Sequence, residues 1–197
     1  KSFLQLQGRK GLQLAHIMIF DRQHRTGTGL LEQVLPGLRE TFPNTPVGGG
    51  TNAYFAELNR SGLEAGDLDF VSYSICPQVH SLDNLSLLEN LEAQGDTVGS
   101  ARLLFQKPVH IGALSLKQRF NFVATDESDE SDPYPLSDLR QGTVYAAGWT
   151  LGSIRQLARA GADSLTYFES VGVRGLMDRQ RNSSKIYPLY YALEEIL

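Results

Sequence analysis

The sequence predicts an α/β protein whose strands form part of a (β/α)₈ TIM barrel. Short apolar segments that suit buried strands alternate with segments whose apolar residues recur at helical spacing. Strands that alternate with helices pair in parallel through right-handed crossovers. Five such units fit within the 197 residues. No dinucleotide-type glycine fingerprint follows the first strand, so a barrel is favoured over a doubly wound sheet.

The first two units occupy the N-terminal part of the chain. Residues 14–20 are an apolar run that predicts a buried strand. Apolar residues at helical spacing across 30–38 then predict a helix that Pro43 closes. Residues 46–50 read as a glycine-rich strand, and residues 53–59 as a short helix.

The third unit has the clearest pattern. Residues 69–75 predict a strand, which Pro77 stops. A long helical pattern follows over residues 82–105.

In the fourth unit a long polar segment separates the strand from the helix that follows it. We predict strands over residues 109–114 and 164–168, with helices over 146–160 and 187–197. The acidic stretch within residues 125–138 is too polar to pack, and it is interpreted as a solvated loop.

Composition narrows the class of function. The chain is 41% hydrophobic and 20% charged, with a net charge of −4, so nothing favours nucleic acid or an anionic membrane as a partner. Apolar runs fall short of the roughly 18 to 20 residues of a membrane span. Cys76 is the single cysteine, which excludes a disulfide framework or a cysteine-based zinc site within the chain. We expect a cytoplasmic protein that binds a small molecule and uses no cofactor.

Five parallel strands would leave two sheet edges unpaired, which a soluble protein avoids. The sequence also begins at Lys1 and reaches its first strand within about twenty residues. We therefore expect further barrel strands upstream, and association either with that missing half or with a second copy of the chain.

In a (β/α)₈ barrel, reacting groups lie where strands run into the following loops. Five segments occupy such positions, and they include Asp21, Thr51 and Asn52. The segments are residues 20–21, 49–52, 76–80, 114–115 and 167–170.

Two residues in these segments are the candidate catalytic groups. Glu169 ends an apolar strand, where an unused carboxylate would be costly to desolvate, so it suits a general base. The alternative is a rim ion pair with Arg174. His80 follows a proline turn, where its imidazole can reach the barrel mouth and exchange a proton with a ligand, although a surface loop histidine is equally compatible with the pattern.

Further candidates could bind substrate. Asn52 offers an amide donor, or it could simply cap a helix. Tyr167 and Trp149 are aromatic residues of the kind that line sugar sites, and core packing would explain either one.

Several segments resemble the D-apionate lactonase family, from about residue 15 to 193. That family is similar to the barrels of clan A glycoside hydrolases, and the resemblance implies that this chain supplies barrel strands four to eight, about the C-terminal half. The matching segments are PVGGGTNAYF (46–55), DFVSYSICPQVHSLDN (69–84), AGWTLGS (147–153) and AGADSLTYFESVG (160–172).

The resemblance implies hydrolysis of a sugar-derived lactone such as D-apionolactone to the open acid. Clan A glycosidases need a glutamate on strand four and another on strand seven, but here these strands end in Phe20-Asp21 and Leu114-Ser115. Lactone opening needs a base, an oxyanion donor and an acid, roles that Glu169, Asn52 and His80 could fill. A glycoside hydrolase and a non-catalytic carbohydrate-binding barrel remain the alternatives.

Overall fold

The computed structural model describes residues 14–21, 28–119, 137–167, 169–180 and 183–196. Five strands form one sheet in which each neighbouring pair is parallel and spatial order follows chain order. The strands are β1 (Ile17–Ile19), β2 (Val47–Gly50), β3 (Phe70–Ile75), β4 (Val109–Leu114) and β5 (Ser164–Tyr167). The predicted parallel sheet is confirmed, and the carboxyl ends of all five strands share one edge. Phe168, the predicted last residue of the fifth strand, lies outside the described residues.

Six helices are described. They are α1 (Thr28–Thr41), α2 (Phe55–Arg60), α3 (Asn84–Glu89), α4 (Leu91–Phe105), α5 (Val144–Arg159) and α6 (Pro188–Glu194).

The single helix predicted over residues 82–105 is wrong in detail, because the structure divides it at Asn90. Asp83 caps α3, accepting a hydrogen bond from the Ser86 backbone N–H at 3.0 Å, so the helix begins after it. The backbone N–H of Asn90 then returns to the carbonyl of Ser86 at 3.0 Å. The apolar pattern continues across this break, and for that reason the sequence did not reveal it.

A two-stranded antiparallel sheet follows β5 and was not predicted. Its strands are β6 (Met177–Gln180) and β7 (Ser183–Ile186), and Val171 forms a bridge with Met177. These strands are mostly polar, so they lack the alternation of apolar and polar residues that signals a strand.

The main core lies between the sheet and its helices. Val71 and Tyr73 of β3 pack there with Val98 of α4 and Leu157 of α5, all fully buried. Each such aliphatic side chain contributes about 1.5 to 3 kcal/mol by leaving water. Because side chains alternate along a strand, Ser72 and Ser74 and their neighbour Phe70 face the opposite surface, which is the barrel interior.

The glycines of β2 allow close packing on that interior surface. A Cβ on Gly48 would lie 2.3 Å from the Phe70 ring, and one on Gly50 would lie 2.1 Å from the carbonyl oxygen of Ser72. Gly50 also has a φ of 138°, which side chains rarely tolerate. The Phe70 ring in turn stacks on His110 at 3.8 Å.

Of the described helices, none is both long and apolar enough to cross a membrane. Residues 120–136, which include most of the predicted acidic loop, lie outside the described residues.

Candidate active site

Three side chains from separate segments meet at the carboxyl edge of the sheet. Arg119, in the loop after β4, reaches back across β3 to the end of β2. Its Nη2 donates to Asn52 Oδ1 at 2.6 Å, to Ser74 Oγ at 3.0 Å and to the Asn52 carbonyl at 3.3 Å. Ser74 Oγ donates to the Asn52 carbonyl at 3.1 Å. One guanidinium therefore joins the ends of β2 and β3 to the loop after β4.

These contacts fix the orientation of the Asn52 amide. A guanidinium can only donate, so the oxygen of the amide must face Arg119 and its NH₂ group must point elsewhere. Thr51 stabilises the backbone after β2. It is fully buried, and its Oγ1 accepts a hydrogen bond from the Ala53 backbone N–H at 3.0 Å. Of these two predicted binding residues, Asn52 is the one that joins the polar cluster.

Arg174, Tyr54 and Cys76 are among the groups that influence the charge of Arg119. Burial lowers the pKa of the Arg119 guanidinium, Arg174 lowers it further, and Tyr54 and Cys76 act in the opposite direction. Arginine nevertheless stays protonated in proteins. Burial raises the pKa of the Cys76 thiol to about 11, so at neutral pH it is a protonated thiol and a poor nucleophile.

Glu169 lies just beyond β5 in a compact turn. Its side chain folds over Gly172, so that a Cβ placed on Gly172 would lie 2.0 Å from Glu169 Oε1. The backbone N–H of Gly172 donates to the Met177 carbonyl at 2.8 Å, which ties the turn to β6. Gln141, which is buried, donates from Nε2 to the Gly175 carbonyl at 3.1 Å. The turn that contains half-buried Glu169 is thus tied to the hairpin and to the segment before α5.

His80 lies in the exposed turn after β3, at the same edge of the sheet as Glu169. This turn is anchored by Gln78, whose Nε2 donates to the Leu116 carbonyl at 2.8 Å and to Asp138 Oδ2 at 2.6 Å. Asp138 also pairs with Arg140 at 2.7 Å. Burial pushes the pKa of Asp138 up, but hydrogen bonds from Arg140 and Gln78 outweigh it and leave the pKa below its usual value. The loops after β3 and β4 are therefore held together.

Asp21 is half-buried directly after β1, at the same edge. The side chains of Tyr167, which ends β5, and Trp149 of α5 pack among the helices instead. Tyr167 donates to Ser153 Oγ at 2.9 Å, and Ser153 donates to Gln94 Oε1 at 2.6 Å. Trp149 is 1% exposed and its Nε1 donates to the Leu87 carbonyl at 3.2 Å. Both environments match the packing alternative.

We expect Trp149→Ala to act on stability. Removing a buried tryptophan should lower the free energy of unfolding by about 3 to 5 kcal/mol. Denaturant unfolding of the full-length protein would measure this loss, with Trp149→Phe as the milder variant. A normal unfolding free energy together with a raised KM would instead place Trp149 at the substrate.

Arg119 and Ser74 were missed by sequence reasoning. Arg119 lies in the long polar segment after β4, where nothing distinguishes it from a solvated residue. The available signal was the strand FVSYSI, in which Ser72 and Ser74 alternate with apolar residues. Such alternation on a buried strand marks a polar surface inside the barrel.

Surface cavities lie at the other end of the sheet. One is lined in part by Leu58, Leu63, Gly66, Leu104 and Lys107, from the helix-to-strand connections before β3 and β4. The opposite end is the one that carries catalysis in (β/α)₈ barrels, and the polar cluster is found there.

A parallel sheet in strict chain order, with helices on one surface and polar residues at its carboxyl edge, defines a (β/α)₈-barrel protein. An α-L-arabinofuranosidase from Thermotoga maritima matches with a TM-score of 0.64 at 14% identity, over 98% of this chain and 42% of that one. A β-glucuronidase from an uncultured Clostridium sp. matches with a TM-score of 0.61 at 12% identity, over 99% of this chain and 34% of that one. At these identities the likeness concerns the fold.

The sequence comparisons define the family. The family model described as D-apionate lactonase, TIM barrel domain, matches residues 2–197. The D-apionate lactonase of Brucella anthropi is 32% identical over 151 residues, which are 74% of this chain and 25% of that protein. The chain belongs to the D-apionate lactonase family, as its motifs predicted, and it spans about a quarter of the length of that curated relative.

Proposed function

We propose that this chain is part of a carbohydrate-metabolising hydrolase that opens a sugar-derived lactone, such as D-apionolactone, to its aldonic acid. The observation that carries the proposal is the family match across residues 2–197. The polar side chains at the carboxyl edge of the sheet include the proposed base, oxyanion donor and acid, which are Glu169, Asn52 and His80.

In the proposed reaction, the oxygen of a water molecule forms a bond to the acyl carbon, and Glu169 accepts the proton that this water loses. The carbonyl oxygen becomes an oxyanion, to which the NH₂ group of Asn52 donates. The bond from the acyl carbon to the ring oxygen then breaks. The ring oxygen leaves with the bonding electrons and takes a proton from His80, which gives a hydroxyl and a carboxylic acid.

Glycoside hydrolysis is the second candidate, because the fold neighbours include glycosidases. It would need two carboxylates across the scissile bond. In the described residues β4 leads into Ser115, which is buried, and β1 leads into Asp21. A nucleophilic carboxylate at the end of β4 is therefore lacking, and lactone opening is favoured. A barrel that binds carbohydrate without turnover is the third candidate.

Acid release measured by pH-stat in the full-length protein tests these candidates. We expect turnover of D-apionolactone or a related aldonolactone, and no cleavage of aryl glycosides. Cleavage of aryl glycosides with inert lactones would favour the glycosidase. Tight sugar binding in a calorimeter without any turnover would favour the binding barrel.

The proposal also covers the association of this chain with other strands and its location in the cell. Within the described part of the chain, β1 pairs only with β2 and β5 only with β4, which supports association with further barrel strands or with a second copy. Cytoplasmic localisation is supported by the single cysteine, Cys76, which is buried and is not part of a disulfide. Light scattering on the isolated chain should detect species larger than a monomer, and a stable monomer would contradict the association.

A further inference from the structure

We propose that residues 138–141, a turn shortly before α5, position the two candidate catalytic groups relative to each other. This bridging segment contacts both the loop that carries His80 and the turn that carries Glu169. Its side chains are positioning residues, because they act through the base and the acid and not on the lactone itself. The inference rests on the proposed function for the roles of His80 and Glu169.

The bridging segment holds the loop between β3 and α3 on both sides of His80. Gln78, two residues before His80, donates from Nε2 to Asp138 Oδ2 at 2.6 Å. Arg140 Nη1 donates to the carbonyl of Leu82, two residues after His80, at 2.9 Å. The two contacts come from one ion pair, so this pair limits where the His80 loop can lie.

The ion pair of Asp138 and Arg140 has a well-defined geometry. Arg140 donates from Nε to Asp138 Oδ1 at 2.8 Å and from Nη2 to Asp138 Oδ2 at 2.7 Å, which is a bidentate contact. Its Nη1 also donates to Asn84 Oδ1 at 2.7 Å, at the start of α3. Exposed single ion pairs contribute little, but the Asp138 side chain is only 9% exposed. All three guanidinium nitrogens have a partner here, which lysine could not reproduce.

The bridging segment also holds the turn of Glu169. The buried Gln141 side chain donates from Nε2 to the Gly175 carbonyl at 3.1 Å. Gly175 packs against the backbone of Glu169, since a Cβ on Gly175 would lie 2.7 Å from the Glu169 carbonyl oxygen. The backbone N–H of Gln141 donates to the Asp138 carbonyl at 3.0 Å. The contacts to both sides therefore arise from one hydrogen-bonded turn.

The proposed reaction requires such a connection. The base must face the attacking water while the acid faces the ring oxygen, so the two groups must keep a fixed separation. Glu169 and His80 follow β5 and β3, and these strands do not pair with each other because β4 lies between them. The bridging segment connects the two loops directly.

Double-mutant cycles in the full-length protein test this positioning. Arg140→Met should lower kcat for lactone about 10-fold and leave KM nearly unchanged, because Arg140 is not expected to touch the substrate. The loss should shrink to less than about 2-fold when His80 is already alanine, since no imidazole is then left to position. Gln141→Met should behave in the same way with Glu169→Gln as its background.

Hydrogen exchange provides a readout that does not depend on turnover. Backbone amides of the His80 loop should exchange about 10-fold faster in Arg140→Met than in wild type. Arg102→Met is the matched control, since Arg102 pairs with Asp163 at 2.6 Å at the opposite end of the sheet. The control should leave both kcat and the exchange of the His80 loop unchanged.

The full rate loss of Arg140→Met in the His80→Ala background, or unaltered exchange of the His80 loop, would overturn the proposal. If Arg140→Met fails to fold, Arg140→Lys decides, because one ammonium group cannot reach Asp138 and the Leu82 carbonyl together. Wild-type kcat and exchange in Arg140→Lys would then contradict the proposal. Wild type that hydrolyses no lactone, together with faster exchange in Arg140→Met, would refute the proposed function and leave the hold of the bridging segment on the His80 loop standing.

Discussion

Replacing Glu169 with glutamine in the full-length protein is expected to lower kcat/KM for lactone hydrolysis by about 10²- to 10⁴-fold, the usual range for a general base. Glutamine keeps the shape of the side chain but removes its charge and basicity. Because a half-buried carboxylate is costly to desolvate, the thermal unfolding temperature should be unchanged or slightly higher. A pH-stat assay from about pH 5 to 9, with thermal melts alongside, measures both quantities.

Glu57→Gln is the matched control. Glu57 is also half-buried, and its Oε2 accepts from the Tyr54 backbone N–H at 3.1 Å in the capping box of α2, a role that a glutamine oxygen can retain. We expect wild-type activity from this control. Turnover at the wild-type rate by Glu169→Gln would remove Glu169 from the mechanism. A collapse of its unfolding temperature would assign it to a rim ion pair with Arg174.

His80 can be tested in the same full-length protein with the same pH-stat assay. His80→Ala should also lose rate, because an exposed imidazole at the same edge is the proposed acid. If His80 and Glu169 act as a unit, the double variant should be little worse than the poorer single variant.

Gly172→Ala is expected to lower kcat by about 10- to 100-fold through the position of Glu169, since a misplacement of about 1 Å can cost that much. The φ of Gly172 is 137°, and the added Cβ would lie 2.0 Å from Glu169 Oε1. The carboxylate must move to make room. Because side chains rarely adopt this φ, we also expect a loss of more than about 1 kcal/mol in the free energy of unfolding, which thermal melts would detect.

The control for this variant is Gly148→Ala. Gly148 is exposed within α5 and has nothing within 4 Å of an added Cβ. Alanine should therefore stabilise that helix by about 0.5 to 1 kcal/mol and leave kcat unchanged. Unaltered kcat in a folded Gly172→Ala would mean that the observed Glu169 position is not the active one.

The centre of the sheet was predictable because β3 and β4 combine apolar residues with burial. Residues 109–114 could be bounded from sequence because Pro108 and the polar segment after Leu116 flank them. The hairpin of β6 and β7 was not predictable, since both strands are mostly polar and are defined by their backbone pairing. The pattern of apolar residues in a sequence indicates which segments are buried. It does not indicate an element that is defined by backbone hydrogen bonds alone.

The positions of the candidate residues in the fold were predictable from the sequence, but the contacts of their side chains were less so. The strand-end rule placed Asn52, His80 and Glu169 at one edge of the sheet. It failed to separate Tyr167 from them, because Tyr167 ends its strand but points toward the helices and Ser153. It also missed Arg119, because a long side chain that crosses from one loop to the ends of other strands leaves no pattern in the sequence.

A crystal structure of the full-length protein with bound D-apionate would test the central claim most directly, namely that the carboxyl edge of this sheet binds and opens a sugar lactone. We expect the acid beyond the ends of β2 to β5, with an acyl oxygen in contact with the NH₂ group of Asn52 and its acyl carbon facing Glu169. The acid bound instead at the opposite end of the sheet, for example among Leu58, Leu63 and Lys107, would contradict it.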